Sequence, residues 1–241
     1  MNGFIDIHTH ILPATDDGAA DLMAALELVK MAWENGTRTL ILTPHFRGIY
    51  RRNTPELLRQ RFEEFSREVG GRFPQMRLCL GNEIHYHSDV PDRLLAGSVL
   101  PMCDSEYALL EFDNRSMRSQ VVSAVMDTIQ AGYTPIVAHA ERYEVFRKNE
   151  TLLDEVLELG ALIQLNADSV MGKHGFGVKR FCHKLLQRQQ AHFIGSDAHD
   201  MVNRPPLLRD CFLHIHKKYG DEYAARVFYE NAQAVVENRM I

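Results

Sequence analysis

Seven short apolar runs, each followed by a turn and then a helical pattern, constrain this chain more than any other feature. They are Phe4–His8, Thr39–Thr43, Arg77–Gly81, Tyr107–Glu111, Pro135–His139, Leu162–Asn166 and His192–Ser196. Between them, apolar residues return at helical spacing. Leu22, Leu26, Val29 and Trp33 share one face. A helix is expected from Ser116 to Ala131, ending at Gly132. Another is expected from Thr151, with Asp154 completing a capping pair, to a stop at Gly160. Continuously apolar strands alternating with helices form a parallel sheet covered on both faces. One residue from each strand's C-terminal end gives positions 8, 45, 83, 111, 139, 166 and 197. These steps are close to the ~30 residues of a βαβ unit. With no G-x-G-x-x-G to suggest a dinucleotide sheet, the α/β fold expected is a (β/α) barrel of about seven strands. An open doubly wound sheet is the alternative. No Pro/Gly/Ser-rich linker divides the chain, so one domain over 1–241 is expected.

Composition narrows the function classes. A formal net charge of −5 gives no support to a nucleic-acid surface, and no basic track is visible. No apolar stretch reaches the ~18 residues of a membrane span, and no membrane insertion is expected. The N-terminus lacks a basic segment and meets Asp6 at once, unlike a signal peptide. Cys79, Cys103, Cys182 and Cys211 form no C-x-x-C pair, and a cytoplasmic location is the simplest expectation.

Metal-type side chains gather where the strands end. The first strand runs into His8-Thr9-His10, with Asp16-Asp17-Gly18 close behind. Later strand ends carry His45, Glu83, Glu111, His139 and Asp197-Ala198-His199. In a parallel barrel these ends share one rim, where barrel enzymes build active sites. Residues two apart on a strand face the same way, so both imidazoles of His8-x-His10 can hold one ion. Nine candidates result: His8, His10, Asp17, His45, Glu83, Glu111, His139, Asp197 and His199. They are too many for one ion and sufficient for two or three. Imidazole mixed with carboxylate suits zinc, manganese or iron better than calcium or magnesium alone.

Ile5-Asp6-Ile7-His8-Thr9-His10-Ile11-Leu12-Pro13 followed by Asp16-Asp17-Gly18 resembles the opening motif of the PHP (polymerase and histidinol phosphatase) superfamily. More narrowly, the chain resembles the bacterial manganese-dependent protein-tyrosine phosphatases of capsule and exopolysaccharide loci, the CpsB/CapC/YwqE group. The likeness continues through Thr43-Pro44-His45, Gly81-Asn82-Glu83, Leu110-Glu111-Phe112, Ala138-His139-Ala140-Glu141-Arg142-Tyr143, Gln164-Leu165-Asn166-Ala167, Gly195-Ser196-Asp197-Ala198-His199 and Arg204-Pro205-Pro206. The resemblance implies a distorted (β/α)7 barrel. It also implies three divalent metal ions, manganese foremost, with iron, zinc or magnesium as alternatives. It selects Asp17 over Asp16 as ligand and places Arg142 and Arg204 as phosphate-binding catalytic residues. The implied substrate is a phosphotyrosine protein, the tail of a bacterial tyrosine kinase that controls polysaccharide export.

Hydrolysis of a phosphomonoester by a hydroxide bridging two ions is the expected chemistry, because divalent ions lower the pKa of bound water to ~7. Forked guanidiniums suit phosphoryl oxygens, although a structural salt bridge is the competing role for each arginine. Cys182 and Arg188 satisfy the C-x5-R count of cysteine phosphatases. Their segment lacks the preceding histidine and the glycines of a phosphate cradle, and reads as a helix. His174, His183, His192, His214 and His216 have no motif partner and are expected at the surface or satisfied in the core. His85 and His87 are expected in a loop or at the pocket wall. The roles of Arg47 and Asn166 stay open. Rival functions are a phosphatase of small phosphomonoesters such as histidinol phosphate, a nucleic-acid-processing PHP module, and a non-catalytic metal-binding module. The acidic balance partly reflects the candidate site itself, so the case against a nuclease rests on the missing basic track.

Overall fold

The computed structural model describes residues 3–241. Among them are nine strands: β1 (Phe4–Thr9), β2 (Thr37–Leu42), β3 (His45–Phe46), β4 (Arg77–Leu80), β5 (Glu83–His85), β6 (Tyr107–Glu111), β7 (Thr134–Val137), β8 (Leu162–Asn166) and β9 (Phe193–Gly195). They pair in the orders β1-β2-β4 and β3-β5-β6-β7-β8-β9, and every pairing is parallel. The sheet curls until its ends meet. Asp197 N–H donates to the His8 carbonyl at 2.9 Å, and His10 N–H to the Ala198 carbonyl at 2.8 Å. The result is a mixed α/β fold around a curled parallel sheet.

The second and third expected strands end one residue early, at Leu42 and Leu80, and each is followed by a short further strand. Thr43-Pro44 separates β2 from β3, and Gly81-Asn82 separates β4 from β5. Pro44 has no N–H to give a ladder. At Gly81 a Cβ would lie 3.0 Å from the Met102 Cα, so a neighbouring segment crowds the break. Asn82 fills the gap in pairing: its side chain donates to the Pro44 carbonyl at 2.8 Å and accepts from Leu100 N–H at 3.0 Å. The two runs Tyr107–Glu111 and Leu162–Asn166 are strands over their expected lengths. The fifth stops at Val137, two residues short of His139.

One apolar cluster draws Ile7, Ile41, Leu109, Ile136 and Phe193 from five strands and is closed by Val235 of the helix Asn231–Val236. A second packs the helices Leu22–Asn35 and Pro55–Arg72 onto Leu40 and Leu42. The largest lies beneath the later helices, with Val125, Phe146 and Leu185 among its members. The sheet is thus covered on both faces, as continuously apolar strands require.

Helix boundaries follow local capping chemistry. Asp21 caps Leu22–Asn35 by accepting from Ala24 N–H, and Gly36, at φ 104°, ends it. This helix buries Ala25, Leu26, Leu28, Val29 and Ala32, while Leu22 is exposed, so the buried stripe is rotated from the expected one. The helix expected from Ser116 begins at Arg118. For Glu150–Glu158 the cap is Asn149, which accepts from Leu152 N–H; Thr151 merely donates to Asn149, and Asp154 accepts from Gln190. The Thr151–Asp154 pairing is therefore corrected: the asparagine just upstream reaches the third helical N–H first. No helix among the described residues is long and apolar enough to cross a membrane.

Candidate metal centre

β1 delivers His8 and carries the chain on to His10. Gly18 packs so tightly under this segment that a Cβ there would sit 1.9 Å from the His10 carbonyl oxygen. That close approach folds Asp16 and Asp17 back over the histidines. Asp16 Oδ2 lies 2.6 Å from His10 Nδ1 and accepts from His45 N–H at 2.9 Å. The second aspartate points elsewhere: Asp17 Oδ1 lies 3.4 Å from His45 Nε2 and 3.7 Å from His199 Nε2.

Glu83, fully buried at the start of β5, stands at the centre. Its Oε1 is 2.7 Å from His139 Nε2 and 3.4 Å from His8 Nε2. Its Oε2 is 2.7 Å from His45 Nδ1 and 3.3 Å from His10 Nε2. Asp197 Oδ1 approaches His8 and His10 from the other side, at 3.6 and 3.4 Å. Both His139 and Asp197 occupy left-handed backbone, at φ 33° and 53°, a conformation rare for residues with a side chain. Such strain concentrates at functional sites.

Among the described residues, four groupings of ligand atoms are close enough to hold an ion: His10, Asp17, His45 and His199; His8, His10 and Asp197; His8, Glu83 and His139; and His45, Glu83 and Glu111. All nine residues expected at the rim fall within them. Two of these buried atoms have no hydrogen-bond partner: His139 Nδ1 and His199 Nε2. Buried polar atoms are rarely left so, and one explanation is a cation. Imidazole and carboxylate donors together suit divalent transition metals, so the residues fit such ions.

The electrostatics agree. Burial opposes charge on His8 and His10, yet Glu83 raises the first and Asp16 the second. Burial also opposes ionisation of Glu83 and Asp197, but the surrounding histidines hold both well below the ordinary carboxylate range. Glu111 goes the other way. Burial and the neighbouring Glu83 carboxylate push it up to about 8. Carboxylates forced together repel, and a cation between them reverses that sign.

Arg142 and Arg204 converge on one oxygen. Arg142 donates to Asp197 Oδ2 at 3.1 Å, and Arg204 lies 3.6 Å from the same atom. Both guanidiniums remain partly exposed. Asn166, whose role the sequence left open, donates to that oxygen at 3.0 Å and accepts from Gln164 at 2.9 Å. Arg47 donates to both Glu111 oxygens, at 3.2 and 3.3 Å.

Sequence reasoning passed over two supporting residues. Asp16 orients His10, and Gln164 Oε1 meets His8 Nδ1 at 3.2 Å and accepts from His139 N–H at 2.7 Å. Gln164 stands two residues before Asn166 on β8, so strand periodicity was the available signal. The remaining histidines have other roles. His85 and His87 lie 3.3 Å apart beside a cavity that also includes Arg47 and Asp113. His174 pairs with Asp168, His183 with Tyr219, His216 with Asp221, and His192 Nδ1 accepts from Ile163 N–H. His214 packs its ring against His183. Cys182 is buried within the helix Phe176–Gln187, its thiol pushed up by burial.

Known proteins resemble this chain over nearly its whole length. The family model described as capsular polysaccharide synthesis, CpsB/CapC, matches residues 4–237. The tyrosine-protein phosphatase CpsB of Streptococcus agalactiae is 30% identical, over 98% of this chain and 100% of its own. The tyrosine-protein phosphatase YwqE of Bacillus subtilis is 32% identical, over 98% and 93%. A crystal structure from the pair YwqE and Streptococcus pneumoniae CpsB, described as metal-dependent tyrosine phosphatases, superposes with a TM-score of 0.91. It is 32% identical and covers 98% of this chain and 96% of that one. A phosphotriesterase from Mycobacterium tuberculosis, at 10% identity and a TM-score of 0.62 over 98% and 94%, shares the fold alone. The chain belongs to the CpsB/CapC family of capsular polysaccharide synthesis proteins.

Proposed function

We propose that this chain is a metal-dependent protein-tyrosine phosphatase, with one catalytic domain over residues 1–241. The fold of this reading is a distorted (β/α)7 barrel, in which β2 with β3, and β4 with β5, would each count as one interrupted strand. The observation that carries the reading is the cluster of nine imidazole and carboxylate groups, eight of them buried, in which His139 Nδ1 and His199 Nε2 lack a hydrogen-bond partner. His8, His10, Asp17, His45, Glu83, Glu111, His139, Asp197 and His199 would hold three divalent ions, manganese foremost. Such ions supply Lewis acidity, neutralising phosphoryl charge and lowering the pKa of water to ~7.

The chain's own groups do the rest. Arg142 and Arg204 reach over Asp197 with partly exposed guanidiniums, placed to grip phosphoryl oxygens as charge builds on them. Gln164 and Asn166 fix His8 and Asp197 from behind, so the ligand atoms need not reorganise during turnover. The relatives' names support phosphotyrosine as substrate, and the family's description supports a place in capsular polysaccharide synthesis; the substrate protein of this reading is the tail of a bacterial tyrosine kinase. A cytoplasmic location fits such a partner and the four unbridged cysteines.

Metal analysis combined with a substrate panel tests this. With manganese bound, phosphotyrosine peptides should turn over faster than histidinol phosphate or sugar phosphates. Equal or better turnover of histidinol phosphate would overturn the substrate assignment. Bound manganese with no hydrolysis of any phosphomonoester would overturn the enzymatic one.

A further inference from the structure

Away from the rim, Cys79 of β4 and Cys103 share the wall of a separate cavity of about 310 Å3, with Arg59, Arg77 and Asp104 beside them. The metal centre uses neither cysteine. Cys79 belongs to the apolar cluster inside the curled sheet, and Cys103 packs against that same cluster. Cys103 and Asp104 both adopt left-handed backbone, at φ 57° and 54°. This turn packs against β4 and sets both cysteines on the one cavity wall. The neighbouring Cys103 side chain, opposed by burial and helped by Arg77, lowers the Cys79 thiol below its ordinary value, whereas Cys103 is raised. A low thiol facing a cavity, with a second thiol poised to resolve it, is the arrangement that oxidises selectively. The other two cysteines differ: Cys182 and Cys211 are buried on the inner faces of helices, and burial raises both.

We propose that Cys79 and Cys103 form a paired modification site for two-electron oxidants of the peroxide class. The Cys79 thiolate attacks one peroxide oxygen, and the O–O bond breaks. Cys79 becomes a sulfenic acid, and the other oxygen leaves as an alkoxide or hydroxide that takes up a proton. Cys103, giving up its proton, then attacks the Cys79 sulfur and expels water. Two thiols are oxidised to one disulfide while one peroxide is reduced. The bond would staple the Met102–Asp104 turn to β4, the strand that leads through Gly81-Asn82 to Glu83. Asn82 already exchanges two hydrogen bonds with the Leu100 backbone, so the staple would extend an existing seam.

The test uses the whole folded protein exposed to hydrogen peroxide, alkylated, digested without reduction and mapped by mass spectrometry. The expected result is parallel loss of alkylation at Cys79 and Cys103 with the appearance of their cross-linked peptide. Cys182 and Cys211 should be alkylated only after unfolding. In Cys103→Ser the cross-link should vanish and Cys79 should accumulate as a sulfenic or sulfinic acid. The wild-type map needs no variant, so poor folding of the serine variant would not obscure the answer. Separate alkylation of Cys79 and Cys103 after peroxide, or oxidation spread evenly over all four cysteines, would overturn the proposal.

Discussion

Asp16 Oδ2 sits 2.6 Å from His10 Nδ1, which fixes that imidazole with its Nε2 turned toward Glu83 and Asp197. Burial works against the Asp16 charge, but His10 outweighs it and brings Asp16 down to about 2, so it is ionised across the physiological range. A carboxylate behind a histidine sets its tautomer and raises its basicity as a ligand. Asp16→Ala is therefore expected to lower manganese affinity about 10- to 100-fold, read by competition against a chelating dye. Asp16→Asn, which keeps an acceptor, should lose less. Unchanged affinity in the alanine variant would mean that His10 is oriented without it.

Arg142 and Arg204 face one carboxylate oxygen, so each has a structural role that competes with phosphate binding. Arg142→Lys separates the two. It keeps the charge but loses the forked geometry suited to a phosphoryl group. Losing a charge-assisted hydrogen bond costs about 1.5–3 kcal/mol, so kcat/KM should fall roughly 10- to 100-fold. Manganese content should stay at the wild-type level. A matching loss of metal would assign the arginine to holding Asp197 instead.

The strand rhythm was readable because strands buried on both faces are apolar along their length, and Tyr107–Glu111 and Leu162–Asn166 needed no adjustment. The nine rim residues were readable for a related reason: parallel strands carry their ends to one side, so order along the chain becomes proximity in space. What escaped depends on contacts between distant segments. The break at Gly81 needs Met102 against it, and the left-handed turn at His139 is imposed by what surrounds it. Pro44 was a visible warning of the other break. Asp16 could be told from Asp17 only by the family resemblance. The structure supplies the physical difference, since Gly18 lets one carboxylate reach behind His10 while the other faces His45 and His199.

Cys182 tests the nature of the nucleophile. Its burial raises the thiol and deprives it of thiolate, the reactive form. Cys182→Ser should retain turnover close to wild type. Stripping divalent ions with a chelator, or making His8→Ala, should abolish it, and manganese should restore the chelated wild type alone. Loss of turnover in the serine variant with its manganese still bound would contradict a metal-assisted mechanism.

His192 should shape the acid limb of the stability curve. Burial, with Arg226 nearby, lowers its imidazole to about 4, while its Nδ1 accepts from Ile163 N–H at 3.1 Å. An unfolded chain titrates near 6.5, so between about pH 6.5 and 4 the folded protein binds fewer protons than the unfolded one. Stability contributed by the neutral imidazole is therefore fully present above pH 6.5 and is lost as pH falls toward 4, by at most about 3 kcal/mol. His192→Gln removes the proton site and keeps an acceptor for Ile163. In urea melts of metal-free protein, the drop in midpoint between pH 7 and 4.5 should be smaller in the variant than in wild type. His183, also lowered to about 4, has the same sign, so the slope should shrink without vanishing. An identical drop in both proteins would show that His192 already carries a proton in the fold.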